Sequence, residues 1–246
     1  MSGSPGWVLV RLAFRQLLGG KRLWGAGLLA GLAPAVALGL QAFATPSAGE
    51  MLELHTSLLV PVILPLAALV FATGVFGAEL EDGTITFILG KPVARWRITV
   101  ARIAAASVLT GLLSAGSSAV TILVPAGGLD PHGLVWGFPV ALALGGVVYS
   151  AIFVALSLVI RRALLAGLVY VILWEGMLSD LFLGTRALSV RQHTLAVADA
   201  LVDAPPGTLE ASLDVSTALT MAALLTAGAS LVAVWRLSRF EIARAG

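Results

Sequence analysis

The residue types that most often carry chemistry are few and widely separated in this sequence. The histidines at positions 55, 132 and 193 fall in predicted loops on one side of the apolar stretches, and no two have the spacing of metal ligands. Glycine precedes Lys21 and Lys91, but neither lysine is followed by the Ser or Thr of a phosphate-binding loop. The sequence therefore predicts no catalytic site, no metal site and no bound cofactor in this chain.

Glu175 is the one acidic residue deep inside an apolar stretch. Counting from Arg162 at the rise of an α-helix places it about 20 Å from one membrane surface. A lone carboxylate at that depth is costly unless it is protonated, paired or in contact with water. Two interpretations stay open: a substrate or proton contact in a cavity, or a structural hydrogen bond that holds the base of the following loop, with Arg186 or Arg191 as candidate partners. The structural interpretation is favoured.

A second unusual segment, residues 79–97, carries acids where a membrane loop would usually carry bases. Asp82-Gly83 indicates a turn, and Thr84 can cap a short helix that ends at Gly90. This helix would leave apolar side chains in a polar loop, where they cost free energy unless they dock on the bilayer surface, other loops or a partner. These side chains are Ile85, Phe87, Ile88 and Leu89.

Composition identifies the solvent around these residues as lipid. The chain has 246 residues, of which 59% are hydrophobic and 11% charged, whereas soluble domains carry roughly 25% charged residues. So few charges could not cover a soluble domain of this length. The formal charge of +2 does not indicate nucleic-acid binding, because the basic residues lie in short loops and build no continuous patch.

The apolar stretches predict an all-α integral membrane protein with six transmembrane helices in a single domain, residues 1–246. About 20 apolar residues are needed to cross the hydrocarbon. An N-terminal interfacial helix is expected at 1–22, a cytoplasmic loop at 79–97 and an outer loop at 184–215. The six predicted spans are 23–43, 57–78, 103–124, 135–160, 163–183 and 216–235.

The distribution of basic residues predicts which side of the membrane each loop occupies. All but two of the 15 Lys and Arg residues fall on the side of the two chain ends and of alternate loops, and the two exceptions are Arg186 and Arg191. Basic residues are retained on the cytoplasmic side. Both termini are therefore predicted to be cytoplasmic.

Small residues inside the spans predict close helix packing. Gly27 and Gly31 are four residues apart in the first span, and Gly116 lies among serines in the third. Such residues let two helix backbones approach closely in a membrane. Packing is favoured here over a polar pathway.

Two motifs together resemble the permeases of ABC-2 type transporters. In that family the loop after the second span carries an acidic residue, Gly-Thr, an apolar stretch, and a proline with basic residues. A Trp-Glu pair follows in span five, with a Ser-Val stretch beyond it. The matching positions here are Glu79, Glu81, Gly83, Thr84, Leu89, Pro92 and Arg95, then Trp174-Glu175-Gly176, then Leu188 to His193.

The resemblance implies a multi-pass permease subunit in a bacterial plasma membrane, with export as the expected role. It implies a second permease subunit, identical or different, and two copies of a separate cytoplasmic ATPase that binds ATP and Mg²⁺. The loop after span two would form the coupling helix inserted into the ATPase. Its expected contact residues are Glu79, Glu81, Gly83, Thr84, Phe87, Leu89 and Pro92.

Three alternatives remain open at this stage. The same fold could serve the assembly or maturation of a partner enzyme, or self-resistance. A stand-alone secondary transporter would use Glu175 as its coupling site, but the chain has no repeated halves. A membrane-embedded enzyme would need a catalytic constellation that the sequence lacks.

Overall fold

The computed structural model describes residues 21–43, 46–81, 94–124, 131–178, 185–204, 209 and 211–239, and within these ranges the chain is helical with no strands. We number the longer helices in chain order. Short 3₁₀ turns lie at Pro131–Gly133 and Arg186–Leu188. The helices are α1, Lys21–Gln41; α2, formed by Ala48–Leu54, the π-helix His55–Ile63 and Leu64–Glu81; α3, Arg95–Leu123; α4, Leu134–Val159; α5, formed by Ala163–Val169 and the π-helix Tyr170–Leu178; α6, Val190–Leu201; and α7, Val215–Ser238.

Five of the described helices are long and apolar enough to cross a membrane: α1, α2, α3, α4 and α7. The fifth predicted span, 163–183, is represented by α5, a seven-residue α-helix followed by a nine-residue π segment. At 1.5 Å per residue this is about 24 Å, less than the roughly 30 Å of hydrocarbon. The described structure thus supports a multi-pass helical membrane protein with five candidate spans, and the six-span count remains a prediction.

Several predicted boundaries differ from the observed helices. The second span begins at Ala48 rather than at 57, because Ser47 and Glu50 form a capping box that starts the helix earlier. The helix of the third span begins at Arg95 rather than at 103, so Arg95 and Arg97 are part of the helix. His55 and His193, predicted to lie in loops, are buried in α2 and α6. The predicted interfacial helix lies outside the described residues, apart from positions 21 and 22, which belong to α1.

Helix α4 is the centre of the bundle and packs against α2, α3, α6 and α7. Its buried side chains include Phe138, Tyr149 and Phe153, which belong to the hydrophobic core. Two-thirds of its membrane-crossing window, 67%, is buried inside the chain, compared with 17% for α1 and for α7. Helices α1 and α7 therefore present most of their apolar surface outward, as lipid-facing helices do.

Close helix contacts occur at glycines other than the predicted ones. A Cβ on Gly145 would lie 2.3 Å from Thr194 Oγ1, and a Cβ on Gly137 would lie 2.3 Å from Val202 Cγ2. Both glycines bring α6 against α4. By contrast, a Cβ on the predicted packing residues would meet no atom of the described residues within 4 Å. Their role in close packing therefore stays a prediction. These residues are Gly27, Gly31 and Gly116.

The pairing of α6 with α4 shows that α6 starts deep within the bundle. Thr194 lies against Gly145, about 21 Å from the end of α4, whereas Val202 lies against Gly137, about 33 Å from that end. Helix α6 therefore rises from the middle of α4 toward its start. The predicted outer loop, 184–215, accordingly contains a helix whose N-terminus lies at mid-depth.

Candidate functional site

Glu175 lies in the π segment of α5 and is 2% exposed. Four donors surround its carboxylate. Oε2 accepts hydrogen bonds from the Ser189 hydroxyl at 2.6 Å and from the backbone N–H of Arg191 at 3.4 Å. Oε1 accepts from the backbone N–H of Val190 at 3.0 Å and from the Tyr170 hydroxyl at 3.3 Å. Three of the donors belong to the beginning of α6.

The first turn of an α-helix has backbone N–H groups without helical acceptors and carries a partial positive charge. In α6 these groups lie at mid-depth, where water is scarce and an unmatched donor is costly. Ser189 is the N-cap: its hydroxyl accepts from the N–H of Gln192 while donating to Glu175. Glu175 and Ser189 together provide acceptors for the buried N-terminus of α6.

Aromatic rings enclose this carboxylate. Tyr149 stacks on Phe153 with 5.7 Å between ring centroids, and Phe153 meets Tyr170 edge to face at 6.0 Å. Tyr149 lies within electrostatic range of Glu175. The rings limit water access to the carboxylate, which is 2% exposed.

A second buried polar cluster surrounds His55, at the start of the other π-helix. The His55 ring lies 2.6 Å from the Met51 carbonyl through Nδ1 and 2.9 Å from the Ser118 hydroxyl through Nε2. A carbonyl only accepts, so Nδ1 carries the proton. Phe138 packs on the ring with 4.5 Å between centroids. These contacts join α2, α3 and α4, which is the arrangement of a structural histidine.

At the opposite end of the bundle, three arginines bind helix carbonyls, and we call this region the arginine end (Arg95, Arg102 and Arg236). Arg95 donates to the Leu237 carbonyl at 2.9 Å and to that of Ser238, at the end of α7. Arg236 donates to the Leu158 carbonyl at 3.3 Å, at the end of α4. Positive groups near helix C-termini complement the helix dipole.

Arg102 is the most buried of the three, at 5% exposure. It donates to the Val75 carbonyl of α2, and its guanidinium lies 4.4 Å from the centre of the Phe76 ring. Arg102 therefore joins α3 to the last part of α2. These two helices border the segment 82–93.

Most of the predicted coupling residues lie outside the described part of the chain, namely Gly83, Thr84, Phe87, Leu89 and Pro92. The backbone at Glu79 and Glu81 belongs to α2, which extends through Glu81, so these two acids stand on a helix rather than in a loop. Arg95, from the same motif, begins α3 and binds the end of α7. Among the described residues there is no cluster of His, Asp and Glu suited to a metal ion.

These features define a class of protein: a helical, multi-pass membrane protein whose buried charges bind the backbone groups of neighbouring helices. A family model for the ABC-2 family transporter proteins matches residues 7–181, and the chain belongs to that family. The matched range includes the segment 79–97 and Glu175. No curated protein matches the sequence significantly.

Proposed function

We propose that this chain is the permease subunit of an ABC exporter and that a separate ATPase binds its segment 79–97. Family membership carries the proposal, because the matched range includes this whole segment. The permease would form the membrane pathway as a dimer, in a bacterial plasma membrane with both termini in the cytoplasm. ATP and Mg²⁺ would be bound by the ATPase, expected in two copies.

The contacts around the segment support a coupling role. Because Arg102 joins α3 to α2, the two helices that border residues 82–93 are tied together by a buried group. A force applied to the segment would then act on two helices at once. Short segments mounted on joined helices are suited to transmitting movement from a partner.

The hydrogen bonds of Glu175 favour a permease over a stand-alone secondary transporter. Its carboxylate accepts hydrogen bonds from the Tyr170 hydroxyl and from three donors at the start of α6. A carboxylate that binds a coupling ion must exchange such partners during each cycle. We infer that Glu175 is a structural anchor for α6.

The test is co-purification of the ATPase with the permease in mild detergent. Wild-type permease should retain ATPase. Phe87→Ala should weaken the affinity for the ATPase at least about 30-fold, because truncating an aromatic anchor costs about 2 kcal/mol or more. The amount of ATPase retained per permease should fall accordingly. Phe43→Ala, which truncates a 94% exposed ring after α1, is the matched control. A wild-type chain that retains no ATPase would overturn the proposal, and Phe87→Ala with normal retention would remove Phe87 as the anchor.

A further inference from the structure

Two half-exposed tryptophans mark a surface at the arginine end. Trp96, in the first turn of α3, is 53% exposed, and Trp235, in the last turn of α7, is 50% exposed. The two helix ends are in contact because Arg95 donates to the carbonyls of Leu237 and Ser238. We call this surface the tryptophan–arginine patch (Trp96, Arg97, Trp235 and Arg239).

An arginine guanidinium group packs on each tryptophan ring of the patch. The Arg97 guanidinium carbon lies 5.3 Å from the ring centre of Trp96, and that of Arg239 lies 4.3 Å from the ring centre of Trp235. These distances are within the range of cation–π attraction. The contact restrains the arginine while a planar guanidinium retains several N–H donors for an anion.

The described parts of the two helices that form the patch, α3 and α7, contain no acidic residue. The stretches 94–124 and 215–239 contain no Asp or Glu. Arg95 and Arg236 donate to carbonyls at the ends of α7 and α4, whereas Arg97 and Arg239 are exposed. The patch therefore presents two restrained cations to its surroundings.

Exposed aliphatic side chains lie next to the patch along the same two helices. Val100 of α3 is 48% exposed, and Leu231 and Val232 of α7 are 70% and 46% exposed. Because α3 and α7 are candidate membrane spans, these side chains would lie next to lipid tails once the chain is inserted in a membrane. Along α7 the surface thus changes from aliphatic to aromatic at Trp235 and to cationic at Arg239, in the order of the tails, glycerol region and phosphate of a phospholipid. On α3 the exposed Val100 is followed toward the helix start by the Trp96–Arg97 pair.

We propose that the tryptophan–arginine patch binds an anionic phospholipid, with its phosphodiester between Arg97 and Arg239 and its glycerol region against the two indole rings. Anionic lipid is the occupant because a zwitterionic headgroup brings its own cation, which competes with the arginines. Basic side chains next to a membrane surface attract anionic lipids in this way. This inference depends on membrane insertion and is independent of the proposed coupling to an ATPase.

The experiment counts phosphatidylglycerol and phosphatidylcholine bound to the purified permease by native mass spectrometry during a lipid titration. Wild type should bind phosphatidylglycerol more tightly than phosphatidylcholine. Arg97→Gln and Arg239→Gln should each weaken phosphatidylglycerol binding about five-fold, the effect of one cation at a membrane surface. Arg161→Gln and Arg162→Gln are matched controls, because both arginines are exposed just after α4 and neither has a tryptophan beside it in sequence. Each control should weaken binding clearly less than the patch variants do, because neither arginine lies beside the proposed phosphodiester site.

Three results would overturn the proposal. Equal loss in the control variants would indicate general electrostatic attraction, and equal affinity for the two lipids would exclude recognition of the anionic headgroup. Displacement of the lipid by inorganic phosphate at equal concentration would indicate an anion site without lipid recognition. Trp96→Leu provides an independent check, since it leaves every charge in place and should still weaken binding.

Discussion

In the half of the molecule that holds α6, helix N-termini are bound by acidic side chains, whereas at the arginine end helix C-termini are bound by guanidinium groups. Glu175 accepts from the first residues of α6, and Asp214 accepts from the backbone N–H of Ser216 at the start of α7. Arg95 and Arg236 donate to carbonyls at the ends of α7 and α4. In both regions the sign of the charge opposes the partial charge of the helix end.

Within each region the charges differ in how deeply they are buried: Glu175 and Arg102 are almost fully buried, whereas Asp214 is exposed. Glu175 lies at mid-depth and is almost fully buried, so its hydrogen bonds replace water that cannot reach α6. Arg95 and Arg236 are half-buried near the end of the bundle, where long side chains can also reach water. Burial, more than charge, should therefore decide how much each contact contributes to stability.

Glu175→Leu should give the largest loss of stability. The substitution leaves the N–H groups of Val190 and Arg191 without this acceptor in a water-poor region, which costs about 3 kcal/mol or more. We expect a lower yield of monodisperse protein and a lower thermal midpoint, measured by fluorescence-detected size exclusion.

Glu175→Gln is the matched control, because it keeps the size of the side chain and one carbonyl acceptor. It should retain most of the folded yield and leave transport nearly unchanged. If Gln instead abolishes transport by a complex that still assembles and hydrolyses ATP, Glu175 has a functional role and the anchor interpretation is wrong.

The sequence predicted the burial of Glu175 and named Arg191 as a candidate partner, but it did not predict that the start of α6 would supply backbone donors. Its depth follows from counting residues along one apolar stretch, whereas the start of α6 at the same depth depends on how α6 packs along α4. That packing requires Gly137 and Gly145, which look no different in sequence from Gly27 and Gly31. Glycine spacing marks helices able to pack closely, but the pairing of helices decides which glycines are used.

The arginines show a similar limit of prediction from the sequence. The sequence assigned Arg95, Arg102 and Arg236 to one side of the membrane, and the structure brings all three to one end of the bundle. Their individual contacts could not be predicted, because a backbone carbonyl carries no side-chain signature. Whether that end is cytoplasmic remains a prediction from the charge distribution.

Arg102→Lys should have an intermediate effect on stability. Lysine keeps the charge but loses the planar group that lies over Phe76 and donates to the Val75 carbonyl. A desolvated cation–π contact contributes about 2 kcal/mol, so the thermal midpoint should fall clearly. Arg97→Lys, on the same helix over an exposed tryptophan, should change the midpoint much less. Equal changes in the two variants would show that burial does not set the strength of these contacts.

Asp214→Ala should have the smallest effect, because this acid is exposed and water can replace it. Hydrogen bonds from the Ser216 hydroxyl and backbone N–H lower the pKa of Asp214 below its ordinary value of 3.8. A lowered pKa in the folded state means that the stabilisation is fully present above pH 3.8 and is lost as the pH falls through the folded-state pKa. The difference in thermal midpoint between wild type and Asp214→Ala should therefore be constant near neutral pH and shrink below about pH 4.

The thermal midpoint of Asp214→Asn, which keeps a capping oxygen, should lie between those of wild type and Asp214→Ala. If Asp214→Ala destabilises the protein as much as Glu175→Leu, the contribution of an acid at a helix N-terminus does not depend on burial, and the contrast between the two acids fails.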